Sequence, residues 1–164
     1  MVAIFDKKIN MKPAQFIDKL FTRDYANYDG VTPIQVYLLR IVFVLTFIFI
    51  GMFSWTSIVN FQGEWSPVNA VAFCMWAAYS TMSVFGIIKP LKMLPIIVLQ
   101  VFYKTVWLII VAYPLWINGK LAGSEAEYMT NDFLWVVLPA VAMPWGYFFR
   151  GFFGRRKHVM AATA

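Results

Sequence analysis

The stretch Pro90–Asn118, PLKMLPIIVLQVFYKTVWLIIVAYPLWIN, decides the fold because it is long, apolar and carries a lysine near its middle. A bilayer's hydrocarbon core is ~30 Å thick, and a helix rises ~1.5 Å per residue, so this stretch is long enough to cross it. Lys92 and Trp116 each lie roughly 18 Å from Lys104 along the helix axis. Because a lysine stem reaches only about 6 Å, the ammonium is not expected to reach water.

A lysine at the centre of a span costs about 2.5–3.5 kcal/mol, and such residues usually face the interior of a bundle. Gln100 and Trp107 lie one turn to either side of Lys104 on the same helix face. That face, Ile97–Gln100–Lys104–Trp107–Val111, is therefore predicted to turn inward. Two interpretations stay open: Lys104 belongs to a polar binding site, or it donates to backbone carbonyls and fixes helix packing.

The composition is typical of an all-α integral membrane protein. Of the 164 residues, 61% are hydrophobic and 13% charged, whereas soluble domains are about 45–50% apolar and about 25% charged. The single cysteine, Cys74, excludes an internal disulfide. The single histidine, His158, lies in the basic tail, so we expect no catalytic residues, no metal ligands and no bound cofactor other than a quinone or lipid. Whether the chain is an enzyme stays open, and a non-enzyme is favoured.

Four apolar segments predict an antiparallel four-helix membrane bundle, with spans over 33–59, 66–88, 91–117 and 131–150. Thr32–Pro33 and Ser66–Pro67 each fit a helix cap followed by a first-turn proline. We expect Thr130 or Asn131 to cap the fourth span, after a long loop.

The two ends of the chain are polar. In the N-terminal segment, 1–32, one side of a short helix is apolar, which predicts an amphipathic helix on the membrane surface or against the end of the bundle; its apolar residues are Phe16, Ile17, Leu20 and Phe21. Residues 151–164 form a basic tail.

Basic residues predict the orientation. They gather in the N-terminal segment, in the turn with Lys89 and Lys92, and at the C-terminal end, whereas the other two loops hold only Lys120. The positive-inside rule then places both termini in the cytoplasm, and we expect the bacterial inner membrane. The formal net charge of +6 reflects this orientation, and nucleic acid is not an expected partner.

A partner for Lys104 is not obvious, because no Asp or Glu lies in the interior of a predicted span; Asp132 lies at the very start of the fourth. Glu64 and Asp132 are placed at the outer ends and are expected to be too far away. Pro144 lacks the amide that would bond to the carbonyl of Ala140. We predict that this carbonyl accepts from Lys104, assisted by hydroxyl groups; the candidates are those of Tyr79, Ser80 and Tyr103.

These residues predict a small pocket for a lipid-soluble ligand with a carbonyl or anionic group, such as a quinone or lipid head. The predicted ligand-binding residues are Lys104, Gln100, Tyr103, Trp107, Arg40, Tyr79 and Ser80. Apolar walls are expected from Trp76, Trp107, Trp135 and Trp145. Arg40 is shallow in the first span, so its guanidinium is expected to reach the interface.

Another interpretation makes the chain an accessory protein or complex subunit, surrounded by membrane lipids. Lys104 would then pair with an acid on a membrane-protein partner or on a second copy of the chain. A small transporter or channel component is a third interpretation, although four spans leave little room for two gates.

The residues Leu38–Leu39–Arg40–Ile41 and Phe49–Ile50–Gly51 resemble the opening helix of the DoxX-like family of small four-span membrane proteins. The resemblance covers about 33–150 and implies four spans with cytoplasmic termini. It also implies a membrane redox context, since the family includes a subunit of a thiosulfate:quinone oxidoreductase. Arg40 and Gly51 would carry over as positions of the family pattern.

Overall fold

The computed structural model describes residues 13–153, and side chains over 17–151. The regular structure of this part is helical, apart from one isolated antiparallel bridge between Asp24 and Val31. Residues 1–12 and nearly all of the basic tail lie outside it. An all-α fold is therefore confirmed for the described residues.

Three helical rods are long and apolar enough to cross a membrane. The first rod, Pro33–Val59, consists of α3 (Pro33–Leu45), a π-helical segment π1 (Thr46–Ile50) and α4 (Gly51–Val59). The second rod is one helix, α5 (Pro67–Ile88). The third rod, Pro90–Ile117, consists of a 3-10 turn (Pro90–Met93), α6 (Leu94–Trp107), π2 (Leu108–Ala112) and α7 (Tyr113–Ile117). These bounds agree closely with the first three predicted spans.

The fourth segment differs from the straight span predicted over 131–150. It starts earlier, as α8 (Glu125–Leu134), continues as α9 (Val137–Ala142), and then bends by 70° into α10 (Trp145–Phe153). The bend follows from Pro144, which has no amide to donate and which disfavours a helical conformation at the preceding residue. Met143 is accordingly extended, with φ −69° and ψ 122°. Taken together, the two helices of the bent pair are long and apolar enough to form one membrane span.

The predicted cap of the fourth segment was wrong. Ser124, not Asn131 or Thr130, precedes the first helical residue, and the Thr130 hydroxyl bonds back to the Ala126 carbonyl inside α8. Much of the predicted loop is thus helical. The acidic residues Glu125 and Glu127 occupy the first turn of α8, where negative charge is favoured by the helix dipole.

The N-terminal segment contains the predicted amphipathic helix as α1 (Pro13–Phe21), followed by the short α2 (Tyr25–Tyr28). α1 contacts α3, as the second of the two predicted placements requires. Ile17 and Phe21 on α1 remain exposed. The helix therefore rests on the first rod while part of its apolar side stays uncovered.

The core joins the first and third rods to the bend of the fourth segment. Leu39, Phe43, Leu94, Ile97 and Met143 are almost completely buried there. The second rod packs along the first rod through small residues. One close approach is at Gly51, where a Cβ would lie 3.6 Å from the Ser80 hydroxyl oxygen, and another is at Gly86.

Gly86→Ala is expected to destabilise the protein by about 1–3 kcal/mol, because overpacking forces neighbours to move. A Cβ at this position would overlap the Phe43 ring. Thermal unfolding in mild detergent measures the effect. Gly146→Ala is the matched control, since a Cβ there meets nothing within 4 Å; equal unfolding temperatures for the two variants would contradict the predicted packing.

Candidate functional site

Lys104 is buried, with 8% of its surface exposed. The predicted inward face of the third rod is confirmed: Ile97 and Gln100 are buried with it, and Trp107 and Val111 are half-buried. Spacing on a helix was sufficient for this prediction, because residues three and four apart share a face whatever packs against them.

A cavity of about 770 Å³ adjoins Lys104, and we refer to it as the Lys104 cleft. Its polar lining is Thr46, Tyr79, Gln100, Tyr103, Lys104, Glu125, Tyr128 and Asp132. Its apolar and aromatic lining is Val42, Leu45, Phe49, Ile50, Phe53, Trp76, Met129, Phe133, Trp135, Leu138 and Pro139. The volume lies within the ~300–1,000 Å³ typical of small-molecule sites, and the mixture of apolar walls with few polar groups is also typical of them.

The cleft lies between the first rod and the fourth segment, over a floor formed by the second and third rods. α9 packs against α3 and α6, whereas α8 packs against α6 and π2. The fourth segment therefore closes on the first rod at α9 and leaves room beside α8. Phe49 on the first rod and Trp135 after α8 each line the cleft and are 66% exposed, so the cleft opens sideways through the apolar surface of the protein.

The surroundings of the Lys104 ammonium differ from the prediction. In the described part of the chain, no hydrogen-bond acceptor and no carboxylate contacts it directly; its Nζ lies 5.5 Å from the centre of the Phe133 ring. The predicted acceptor, the Ala140 carbonyl, instead receives a hydrogen bond from the Trp145 indole at 2.9 Å. The adjacent indole satisfies the carbonyl that Pro144 leaves free, because the bend folds Trp145 back onto α9.

Asp132 was expected to lie too far from Lys104 to be its partner. α8 begins early enough that Asp132 lines the same cleft as Lys104. The two groups do not form a direct ion pair. Hydropathy contained no signal for this placement, because it does not report how α8 packs against the third rod.

The two predicted tyrosines meet at the cleft. The Tyr79 and Tyr103 hydroxyl oxygens are 2.9 Å apart, and either can be the donor. When one hydroxyl donates to the other, the second still has a hydrogen to donate. The pair therefore offers one donor to the cleft in addition to the Lys104 ammonium.

Gln100 is anchored by a residue that the sequence analysis missed. Its side-chain amide donates to the Thr46 hydroxyl at 3.0 Å, and both residues are buried. Thr46 is the first residue of π1. Short π-helical segments occur frequently at functional sites. The sequence signal that could have indicated Thr46 was a threonine within an apolar run, at the same depth in the membrane as Gln100.

Three predicted residues do not reach the cleft lining. Ser80 is fully buried, with its hydroxyl bonded to the Ala77 carbonyl, and it packs opposite Gly51. The Trp107 ring packs edge-on against the Phe133 ring, with 5.0 Å between the two ring centroids. Arg40 is half-buried near the start of the first rod, 5.9 Å from the Tyr37 ring centre, and its Nε has no hydrogen-bond partner.

Of the predicted tryptophan walls, Trp76 and Trp135 line the cleft, whereas Trp107 and Trp145 pack elsewhere.

Across the described residues, no group of three or more His, Cys, Asp or Glu side chains is placed to hold a metal ion. The cleft therefore offers hydrogen-bond donors, two carboxylates and aromatic surface, which suit an organic ligand.

No protein-family model matches this sequence, and no curated protein or solved structure is significantly similar to it.

Thr46→Val is expected to destabilise the protein by about 1–3 kcal/mol, since it removes the acceptor of a buried amide. The double variant Thr46→Val/Gln100→Leu should recover much of this loss, because both polar partners are then absent. Thermal unfolding of the single and double variants measures the coupling. Thr105→Val is the control, because Thr105 is exposed on the same rod as Gln100. If the losses of stability from Thr46→Val and Gln100→Leu simply add in the double variant, the predicted coupling is contradicted.

Proposed function

We propose that this chain is a small inner-membrane protein with four spans, the fourth bent at Pro144, and with both termini in the cytoplasm. The three apolar rods and the bent pair support four crossings. The basic residues at the N-terminal end, in the Lys89–Lys92 turn and at the C-terminal end support the orientation. With these crossings, the Lys104 cleft opens toward the lipid.

Within this architecture, the function we propose is binding of a lipid-soluble ligand that presents a hydrogen-bond acceptor to Lys104. The observation that carries the proposal is the ammonium of a largely buried lysine, which has no acceptor among the described residues and lines a cleft of about 770 Å³. A hydrogen bond from a charged donor contributes about 1.5–3 kcal/mol. A ligand acceptor at this position would supply that free energy.

The other groups of the cleft support the same class of ligand. The tyrosine pair supplies a second donor, and Trp76, Phe53 and Trp135 supply flat apolar surface. A quinone ring or the ester region of a lipid has this combination of acceptor oxygens and apolar body. These groups bind and orient an amphiphile, and binding is the proposed role.

A complex subunit is the second candidate. The sideways opening of the cleft, with Phe49 and Trp135 exposed at its edge, would also admit a helix from a membrane-protein partner. An acid on that helix would pair with Lys104. A redox-associated subunit, as the DoxX-like resemblance implies, would combine the two roles by holding a quinone next to a partner.

Lys104→Met is expected to weaken the binding of a short-chain quinone or of monoolein by roughly tenfold to a hundredfold, because a hydrogen bond from a charged donor contributes about 1.5–3 kcal/mol. Removing a buried charge with an apolar residue of similar length should leave the fold intact. Binding to the detergent-purified protein is measured by native mass spectrometry, which also detects a copurified lipid or partner. The control is Lys92→Met, an exposed lysine of the same rod.

If both lysine variants bind the two ligands as the wild type does, ligand binding at Lys104 is refuted. A different outcome would favour the subunit role over ligand binding. In that outcome the wild type binds neither ligand but copurifies with a protein, and Lys104→Met no longer copurifies with that protein.

Membrane orientation is tested by cysteine labelling in a Cys74→Ala background. Ala122→Cys, in the loop before α8, should react with a membrane-impermeant maleimide on intact spheroplasts. Lys89→Cys should react only after the membrane is permeabilised. Both positions are exposed in the structure, so the reverse pattern of labelling would overturn the proposed orientation.

A further inference from the structure

We propose that Asp132 makes the Lys104 cleft selective for uncharged amphiphiles that carry both a hydroxyl and a carbonyl, and makes it exclude fatty acids and other anions. This inference rests on the proposed function and adds the charge class of the ligand. It makes Asp132 a specificity-determining residue.

The charges that line the cleft support this selectivity. Lys104 is the one base in the lining, and Glu125 and Asp132 are the two acids. Within residues 17–151, no direct ion pair joins these three groups. The lining therefore carries more negative than positive formal charge, although it contains a buried lysine that would by itself favour an anion.

The position of Asp132 decides how that lysine acts on a ligand. Asp132 and Lys104 line the same cleft without touching each other. A ligand carboxylate placed at Lys104 would also meet the Asp132 carboxylate in the same cleft, and like charges repel each other. Without Asp132, the lining would hold one base and one acid, Lys104 and Glu125, and the excess negative charge that opposes an anion would be gone.

The hydrogen-bonding capacities of the two side chains complete the class of ligand. The Lys104 ammonium only donates, and the ionised Asp132 carboxylate only accepts. Because the two do not contact each other, a polar group between them satisfies both when it offers an acceptor to Lys104 and a donor to Asp132. A monoacylglycerol head has an ester carbonyl and hydroxyls close together and carries no charge.

The rest of the cleft suits the chain of such a molecule. Val42, Leu45 and Leu138 form apolar lining on the first rod and on α9. Phe53, which is 55% exposed, lies on the open side through which a lipid can enter. The polar residues Asp132 and Lys104 then receive the head, and the apolar residues receive the acyl chain.

Asp132 is suited to a direct test because it is exposed and the hydrogen bonds and ring contacts described for α8 do not use its side chain. Monoolein and oleate serve as probes, since they share one acyl chain and differ in head-group charge. Their dissociation constants are measured by native mass spectrometry on the full chain in a nonionic detergent, at a pH where oleate is ionised.

The wild type is expected to bind monoolein more tightly than oleate, and Asp132→Asn is expected to reduce the ratio of the two affinities by roughly threefold to tenfold, the change that one partly screened charge interaction produces. Asp132→Glu, which keeps the charge, should retain the preference. Glu64→Gln, an exposed acid that does not line the cleft, should leave the ratio unchanged.

An unchanged ratio in Asp132→Asn, or an equal change in Asp132→Glu, overturns the assignment of selectivity to Asp132 while leaving ligand binding intact. A wild type that prefers oleate also overturns it. Binding of neither probe by the wild type, with Lys104→Met indistinguishable from it, is instead the failure of the proposed function.

Discussion

A primary amine held in an apolar interior is the constraint on which the rest of this structure depends. Lys104 is buried at the middle of the third rod, and no protein acceptor in the described chain contacts its ammonium. Such a group is unfavourable unless its surroundings compensate it. The compensation comes from the face of the Phe133 ring, from Asp132 in the same cleft and from the open cleft in front of the ammonium. The last of these makes ligand binding the function best supported by the geometry.

The cleft exists because the fourth segment packs against different neighbours along its length. Pro144 ends the helix at an extended Met143, and the chain turns by 70°. Trp145 then bonds to the Ala140 carbonyl, so the break is made without leaving that carbonyl unsatisfied. α9 stays against α3 while α8 lies against the third rod, and the space left between α8 and the first rod is the cleft.

Residues on one helix were predicted well, and residues on different helices were predicted unevenly. Gln100 and Lys104 share a face by their spacing, and the structure buries both. Tyr79 and Tyr103 do meet, but Ser80, one position along from Tyr79, turns toward Gly51 instead. A change of one residue rotates a side chain by about 100° around the helix, and depth in the membrane contains no information on that rotation.

The sequence by itself determined that the chain is helical, where the three rods begin and end, and which face of the third rod turns inward, because hydropathy and helical spacing are properties of contiguous residues. Only the tertiary structure decided that Asp132 shares the cleft with Lys104, that Trp145 takes the Ala140 carbonyl, and that Thr46 anchors Gln100. These contacts join residues of separate helical elements. They depend on where α8 starts, on the bend at Pro144 and on the rotation of each helix about its axis, and those are fixed by packing.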